Sequence, residues 1–214
     1  VSRRTAGRIV RNAASVGGNT MLVLKHIPEG TGEPFPSDLF TTLYALDTKI
    51  SYYLEKDGQF KAYTQTAEEL LEAIIKEPKL ADHIVLKSYE IPLKKSNAIV
   101  FAQKVALREV NSHSIVNATT NFNINDECSM ESAVIALGGI APYPWRAART
   151  EKAMLNKKLE LEDVNSLSII LAEEVRQKLE DVKGRMEEVP DEGFTIEYRT
   201  QLAVSFFYKS IINA

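Results

Sequence analysis

The sequence predicts an α+β protein in two parts, and three observations support this class. The chain has 214 residues, 44% of them hydrophobic and 26% charged, which is typical of a protein that buries a real core. Strand and helix patterns alternate in the first half, whereas the second half has a run of strand patterns followed by helical ones. The polar segment 94–97 separates two strand patterns and predicts the boundary between residues 1–95 and residues 96–214.

The first part begins with an ambiguous apolar run. Residues 20–24 (TMLVL) fit either a short strand or the start of a helix. Residues 26–38 contain three prolines and two glycines, which predicts a loop. The apolar residues of 38–47 then recur at helical spacing, and we expect Asp38 to be the N-cap of that helix.

Local sequence patterns predict the remainder of the first part. Residues 49–63 place aromatic and β-branched residues on both sides of Lys-Asp-Gly, the pattern of a β-hairpin. Thr66 and Glu69 have the spacing of a capping box, and Pro78 ends the helix that this box begins. Residues 83–93 are predicted to form a strand.

The second part is predicted to contain three strands and then three helices. The strand patterns cover 98–109, 114–125 and 132–142. The helical patterns cover 145–159, 163–182 and 198–214.

Composition excludes several classes of protein and site. The net charge of −3 shows no basic excess for nucleic acid, and no apolar run reaches the roughly 20 residues of a membrane span. Cys128 is the only cysteine, so the chain has no internal disulfide and no metal site built from several cysteines. We therefore expect no nucleic-acid, membrane or metal partner, a reducing intracellular setting, and a structural role for Cys128.

The pair Gly17–Gly18 has two open interpretations. It can form a tight turn that requires positive φ, which glycine adopts readily. Alternatively, the absence of Cβ atoms can allow a phosphate to approach the backbone. Ser15 and Asn19 flank the pair and can donate the hydrogen bonds that a phosphate site requires.

Other polar residues leave similar alternatives. Asp38 can cap a helix, or it can accept a hydrogen bond from a sugar or ribityl hydroxyl. Lys104 and Arg108 lie in a strand pattern, where single charges are usually solvated. The three histidines are far apart in sequence and are expected to be surface or capping residues. No known catalytic motif is present, so we predict no catalytic side chain.

Five segments in order carry a resemblance to a known family. The segments are RIVRNAASVGGN (8–19), FPSDLFTTL (35–43), SYEIP (88–92), LGGIAPYPWRAARTEKAML (137–155) and YRTQLAVSFFYKSI (198–211). Together they resemble the flavin domain of the molybdenum hydroxylases, the xanthine dehydrogenase and aldehyde oxidase family. FPSDLFTTL is most similar to the aldehyde oxidase-like members, and the resemblance spans almost the whole chain.

The resemblance implies both a fold and a function. Residues 1–95 would be the second part of a PCMH-type FAD-binding subdomain with a mixed sheet. Residues 96–214 would be a CO-dehydrogenase-flavoprotein-like subdomain with a three-stranded antiparallel sheet and a helical bundle. The implied function is an FAD-binding module that passes electrons from 2Fe-2S centres to NAD or dioxygen. The iron–sulfur and molybdopterin cofactors would belong to partner domains or subunits of the same enzyme. That whole enzyme is expected to be cytoplasmic and a homodimer.

The resemblance also implies seven cofactor-binding residues: Ser15, Gly17, Gly18, Asn19, Asp38, Leu86 and Lys104. The first four match the family's turn around the FAD pyrophosphate, which favours the phosphate interpretation of the glycine pair. Asp38 matches an acid that contacts the cofactor. Leu86 matches an apolar position against the isoalloxazine ring, and Lys104 matches a lysine near the flavin.

The sequence departs from the family pattern in four respects, one of which is the helical segment TAEELLEAIIKE (66–77) where the family has Phe-x-x-Gly before Ile-Pro. Thr5 stands where the family often has an aromatic residue near the flavin, and the loop between Asn19 and Asp38 is longer than usual. The family's first nucleotide-binding loop precedes the position of Val1, so we expect this chain to correspond to the later two-thirds of a flavin domain. An alternative hypothesis is therefore a structural or docking domain that retains the fold without flavin.

Overall fold

The computed structural model describes residues 5–27, 35–93, 97–186 and 194–213, with the side chains of 183–186 outside that description. The first part contains α1 (Arg8–Ala13), α2 (Val16–Lys25), α3 (Asp38–Ala45), β1 (Lys49–Lys56), β2 (Gln59–Thr66), α4 (Ala67–Lys76), a 3₁₀ helix (Pro78–His83) and β3 (Ile84–Glu90). The second part contains β4 (Ala98–Ala106), β5 (Ser114–Ile124), β6 (Met130–Gly138), β7 (Trp145–Arg146), α5 (Ala148–Met154), α6 (Leu161–Met186) and α7 (Ile196–Ile212).

The α+β class is confirmed. The strands form two sheets with the orders β2-β1-β3 and β4-β5-β6-β7. Every pairing between neighbouring strands of these sheets is antiparallel. The mixed sheet expected in the first part is thus an antiparallel one among the described residues. The three long strands predicted for the second part are present, and β7 adds a fourth strand of two residues.

The local patterns of the first part fold as the sequence predicts. Asp57 and Gly58 join β1 to β2 with φ values of 54° and 75°, the left-handed pair that suits a two-residue hairpin turn. The amide of Glu69 donates to Thr66 Oγ1 at 3.1 Å, and the amide of Thr66 donates to Glu69 Oε2 at 2.8 Å. This reciprocal capping box begins α4, and Pro78 begins the 3₁₀ helix that follows α4.

The structure resolves one open alternative and corrects two predicted helix starts. Residues 20–24 belong to helix α2, which settles the choice between strand and helix. The N-cap of α3 is Ser37, whose hydroxyl accepts from the amide of Phe40 at 2.9 Å, so the prediction of Asp38 as the cap was wrong. The helix predicted from residue 145 begins at Ala148, because Trp145 and Arg146 pair with β6 as strand β7.

Strand β6 joins the two hydrophobic cores of the protein. Its residues Ala133, Ile135 and Leu137 pack in one core with side chains of α6 and α7. Val134 and Ala136 point to the opposite face and pack in a second core with side chains of α2, α3 and α4. Helix α3 lies against β5 and β6, and Asp38 at its N-terminus contacts side chains of β4 and β5.

Arg146 connects the two parts by ionic contacts. Its guanidinium binds Glu151 of α5 at 2.7 Å and Glu68 of α4 at 2.9 Å. Burial alone would lower the pKa of Arg146, but the hydrogen bonds and charge of Glu151, with the charge of Glu68, raise this pKa above its ordinary value. The paired guanidinium thus holds α4 and α5 against the short strand β7.

None of the helices in the described residues has the length and apolar character needed to cross a membrane. Cys128, expected to be structural, is an exposed free thiol with φ of 62° in the β5–β6 connection.

Gly139 and Gly58 provide a matched test of how closely the structure packs around a glycine with positive φ. Both have positive φ, so Gly→Ala should cost about 1–2 kcal/mol of unfolding free energy at either position. A Cβ on Gly139 would lie 2.2 Å from the Ile115 carbonyl oxygen, whereas no heavy atom lies within 4 Å at Gly58. We expect Gly139→Ala to cost roughly 1–3 kcal/mol more, measured by urea unfolding. Equal losses at the two positions would contradict this packing.

Candidate functional site

A cavity of about 910 Å³ opens where α1, α2, the start of α3 and the β4–β5 connection meet. The lining residues are Thr5, Ala6, Val10, Arg11, Ala13, Ala14, Ser15, Val16, Gly18, Asn19, Leu22, Phe35, Pro36, Ser37, Asp38, Leu39, Lys104, Asn111, Ser112 and His113. Its walls combine apolar side chains with a few convergent polar groups, the usual composition of a small-molecule site.

The pair Gly17–Gly18 forms the first turn of α2. Ser15 is the N-cap, and its hydroxyl accepts from the amide of Gly18 at 2.9 Å. The tight turn with positive φ was a wrong interpretation, because both glycines are helical and the described glycines with positive φ are Gly58 and Gly139. Helix geometry leaves the amides of Val16 and Gly17 without an acceptor inside α2.

The two glycines face different surroundings. Gly18 lines the cavity, and a Cβ there would lie 3.1 Å from Ser15 Oγ. Gly17 is outside the lining, and a Cβ there would make ordinary contacts with Ser15 Oγ at 3.9 Å and with Leu86 Cδ1 at 4.0 Å. Leu86 of β3 thus lies beside Gly17 and is likewise absent from the lining.

Asp38 connects the start of α3 to β4 and β5. Its Oδ2 accepts from Lys104 Nζ at 2.6 Å, and its Oδ1 accepts from Asn117 Nδ2 at 3.0 Å and from the Ser114 hydroxyl. The side chains of Asp38 and Lys104 are only 10% and 15% exposed. The expectation of a solvated Lys104 was therefore wrong, whereas Arg108 is exposed.

The backbone of the β4–β5 connection also contacts this pair. Lys104 Nζ donates to the Ser112 carbonyl at 3.0 Å. A hydrogen bond from the Arg108 guanidinium to the Asn111 carbonyl at 2.7 Å holds the tip of the connection. These contacts fix one wall of the cavity relative to α3.

An aromatic pair lies in the wall of the cavity. The rings of Phe35 and His113 pack edge to face with centroids 5.4 Å apart, and His26 lies 6.5 Å from Phe35. His26 also bonds the Leu22 carbonyl at the end of α2, and His83 pairs with Glu55 at the surface. His26 and His83 thus have the expected roles, and His113 is exposed as expected while it also lines the cavity.

The structure brings together five of the seven predicted cofactor-binding residues, which line the cavity: Ser15, Gly18, Asn19, Asp38 and Lys104. Gly17 and Leu86 lie beside each other outside this lining. Sequence reasoning missed Phe35, His113, Ser114 and Asn117. Phe35 precedes the recognised Pro-Ser-Asp segment, which was a usable signal, whereas the other three depend on how β5 packs beside α3.

The described residues contain no group of three His, Cys, Asp or Glu side chains that could hold a metal ion. The polar groups of the cavity are instead amides, hydroxyls, the Arg11 guanidinium, the His113 imidazole, one ammonium and one carboxylate. This donor set suits an organic ligand with anionic and hydroxyl groups.

Comparison with known families identifies the second part of the chain. Residues 101–214 match the family described as CO dehydrogenase flavoprotein C-terminal domain.

Curated relatives match nearly the whole chain. A xanthine dehydrogenase from Blastobotrys adeninivorans is 28% identical over 95% of this chain. An indole-3-acetaldehyde oxidase from Zea mays is 30% identical over 99% of this chain. The chain spans only 13% and 14% of the lengths of these two relatives.

Solved structures share the fold. Carbon monoxide dehydrogenase from Hydrogenophaga pseudoflava matches 99% of this chain with a TM-score of 0.71 and 16% identity, over 64% of its own chain. Quinoline 2-oxidoreductase from Pseudomonas putida 86 matches 99% of this chain with a TM-score of 0.65 and 16% identity, also over 64%. The chain therefore belongs to the CO dehydrogenase flavoprotein C-terminal domain family, and almost its whole length is similar to part of xanthine dehydrogenases and aldehyde oxidases.

Proposed function

We propose that this chain is the FAD-binding electron-transfer module of a molybdenum-hydroxylase-type oxidoreductase. The observation that carries the proposal is the cavity at the start of α2, which gathers Ser15, Gly18, Asn19, Asp38 and Lys104. Its volume of about 910 Å³ lies within the range of roughly 300–1,000 Å³ typical of ligand pockets.

The α2 terminus fits a diphosphate. The amides of Val16 and Gly17 have no acceptor inside the helix, and the helix dipole favours an anion at this end. Gly18 presents no Cβ to the cavity. Ser15 Oγ, although it accepts from the Gly18 amide, still has its own hydrogen to donate.

The remaining walls suit the other parts of the cofactor. Val10, Val16 and Leu22 supply apolar surface for a ring system. Asp38 and Lys104 provide a fixed acceptor and a fixed donor on the opposite wall. Bound FAD would supply the redox chemistry, while these residues bind and orient it.

The proposal extends to the whole enzyme and to the division of this chain. Electrons would arrive from iron–sulfur centres in partner domains or subunits and leave to NAD or dioxygen, and the whole parent enzyme would be a homodimer.

The proposed boundary between 1–95 and 96–214 falls between β3 and β4, close to residue 101, where the family match begins.

A second candidate is a flavin-free structural or docking domain that retains the fold. It is favoured by Thr5, which lines the cavity where the family often has an aromatic residue. It is also compatible with Leu86 lying outside the cavity lining.

A visible absorption spectrum of the purified protein decides between these candidates. We expect flavin bands, and release of FAD on denaturation, because the cavity and the α2 terminus together would retain the dinucleotide. Protein purified without colour should regain the bands when FAD is added. A protein that stays colourless with added FAD would favour the structural domain.

The glycine pair allows a matched test of the diphosphate contact. In Gly18→Ala the new methyl lies at the cavity wall and blocks approach to the helix amides, so FAD affinity should fall about tenfold, the value of one charge-assisted hydrogen bond. Gly17→Ala adds the same methyl beside Leu86 and should bind FAD normally. Affinity is measured by flavin fluorescence titration, and folding by circular dichroism. Equal affinities of the two variants would show that the diphosphate does not lie at Gly18.

A further inference from the structure

The glycine pair Gly138–Gly139 at the end of β6 has no part in the proposed cofactor contacts. Gly138 pairs directly with Asn117 across β5 and β6. A Cβ on Gly138 would lie 2.6 Å from Asn117 Oδ1 and 2.7 Å from Asn117 Nδ2. Gly138 therefore leaves the space that the Asn117 amide occupies.

The Asn117 amide is held in one orientation. The residue is only 2% exposed, and its Nδ2 donates to Asp38 Oδ1 at 3.0 Å. Its Oδ1 is buried and has no hydrogen-bond partner in the described part of the chain. If the amide were reversed, Asn117 Oδ1 would face the Asp38 carboxylate and the two oxygens would repel. The observed orientation keeps the hydrogen bond to Asp38 but leaves Asn117 Oδ1 unsatisfied.

Among the residues that the structure describes, the contacts of Asp38 leave one acceptor position open. A carboxylate offers about four lone-pair sites. Asn117 and Ser114 donate to Oδ1, and Lys104 donates to Oδ2. The remaining site is on Oδ2, and Asp38 lines the cavity.

We propose that Asn117, in the space provided by Gly138, is a positioning residue that aims the free acceptor site of Asp38 at a hydroxyl group of the bound ligand. Asn117 does not line the cavity, so it acts through Asp38. The ligand group is a polyol or sugar hydroxyl, which FAD carries both on its ribityl chain and on its ribose. This inference rests on the proposed function, and it assigns to Asn117 the role of orienting the Asp38 carboxylate.

The first test compares Asn117→Ala with the unaltered protein. Losing the donor frees the Asp38 carboxylate to rotate, so FAD affinity should fall about tenfold. Riboflavin and ADP serve as two further binding probes, because of the two hydroxyl groups in question riboflavin carries only the ribityl hydroxyls and ADP only the ribose hydroxyls. The probe whose affinity falls as that of FAD does identifies the hydroxyl that Asp38 binds. Ser114→Ala removes the other Oδ1 donor with a smaller change in volume and should weaken the same probe.

The second test is a double-mutant cycle with Gly138. In the unaltered background, Gly138→Ala displaces the Asn117 amide and should weaken the responsive probe as much as Asn117→Ala does. In the Asn117→Ala background the atoms that clash are absent, so Gly138→Ala should have no further effect. A purely structural role would lower the melting temperature in each variant and leave the affinities for the probes unchanged.

The outcomes separate this inference from the proposed function. If the unaltered protein binds FAD and the Asn117, Ser114 and Gly138 variants that fold bind all three probes equally well, the inference is overturned and the proposed function stands. If Gly138→Ala weakens binding equally in both backgrounds, the link through Asn117 is wrong. If the unaltered protein binds none of the three probes, the proposed function fails and takes the inference with it.

Discussion

The position of helix α3 depends on the pairing of one nearly buried carboxylate. A buried charge must be compensated by charge and hydrogen bonds, and Asp38 obtains both from β4 and β5. This requirement fixes the start of α3 and hence Ser37, whose hydroxyl donates to Asn19 Oδ1 at 2.5 Å. Asn19 belongs to α2, so one carboxylate positions two helices and the β4–β5 connection around the same cavity.

The far end of α3 is held by a second polar network. Tyr44 donates to Glu68 Oε1 at 3.3 Å, and Glu68 pairs with Arg146. Burial, with the charge of Glu68, raises the pKa of the Tyr44 hydroxyl above its ordinary value. Between these two ends, Phe40 and Leu43 pack in the core beside β6. The helix that carries Asp38 is thus fixed at both ends and along its buried side.

Features set by neighbouring residues could be predicted from the sequence, whereas features set by strand packing could not. The Asp57–Gly58 hairpin and the Thr66 capping box depend on a few adjacent residues, and both were confirmed. Lys104 was wrongly expected to be solvated, because its burial arises from the contact between β4 and α3. Asn117 could not be linked to Asp38 either, since that contact depends on the register of β5. The resemblance to a family indicated five residues of the cavity lining but not Ser114 and Asn117, which bind Asp38.

Strand β6 has no solvent-facing side over residues 133–138, all of which are buried. Its side chains alternate between two cores, with Val134 and Ala136 on one side and Ala133, Ile135 and Leu137 on the other. A slip of a single position would exchange these sets, leaving a void under α7 and a collision under α3. The two halves of the protein consequently enforce each other's alignment through the strand whose two faces they share.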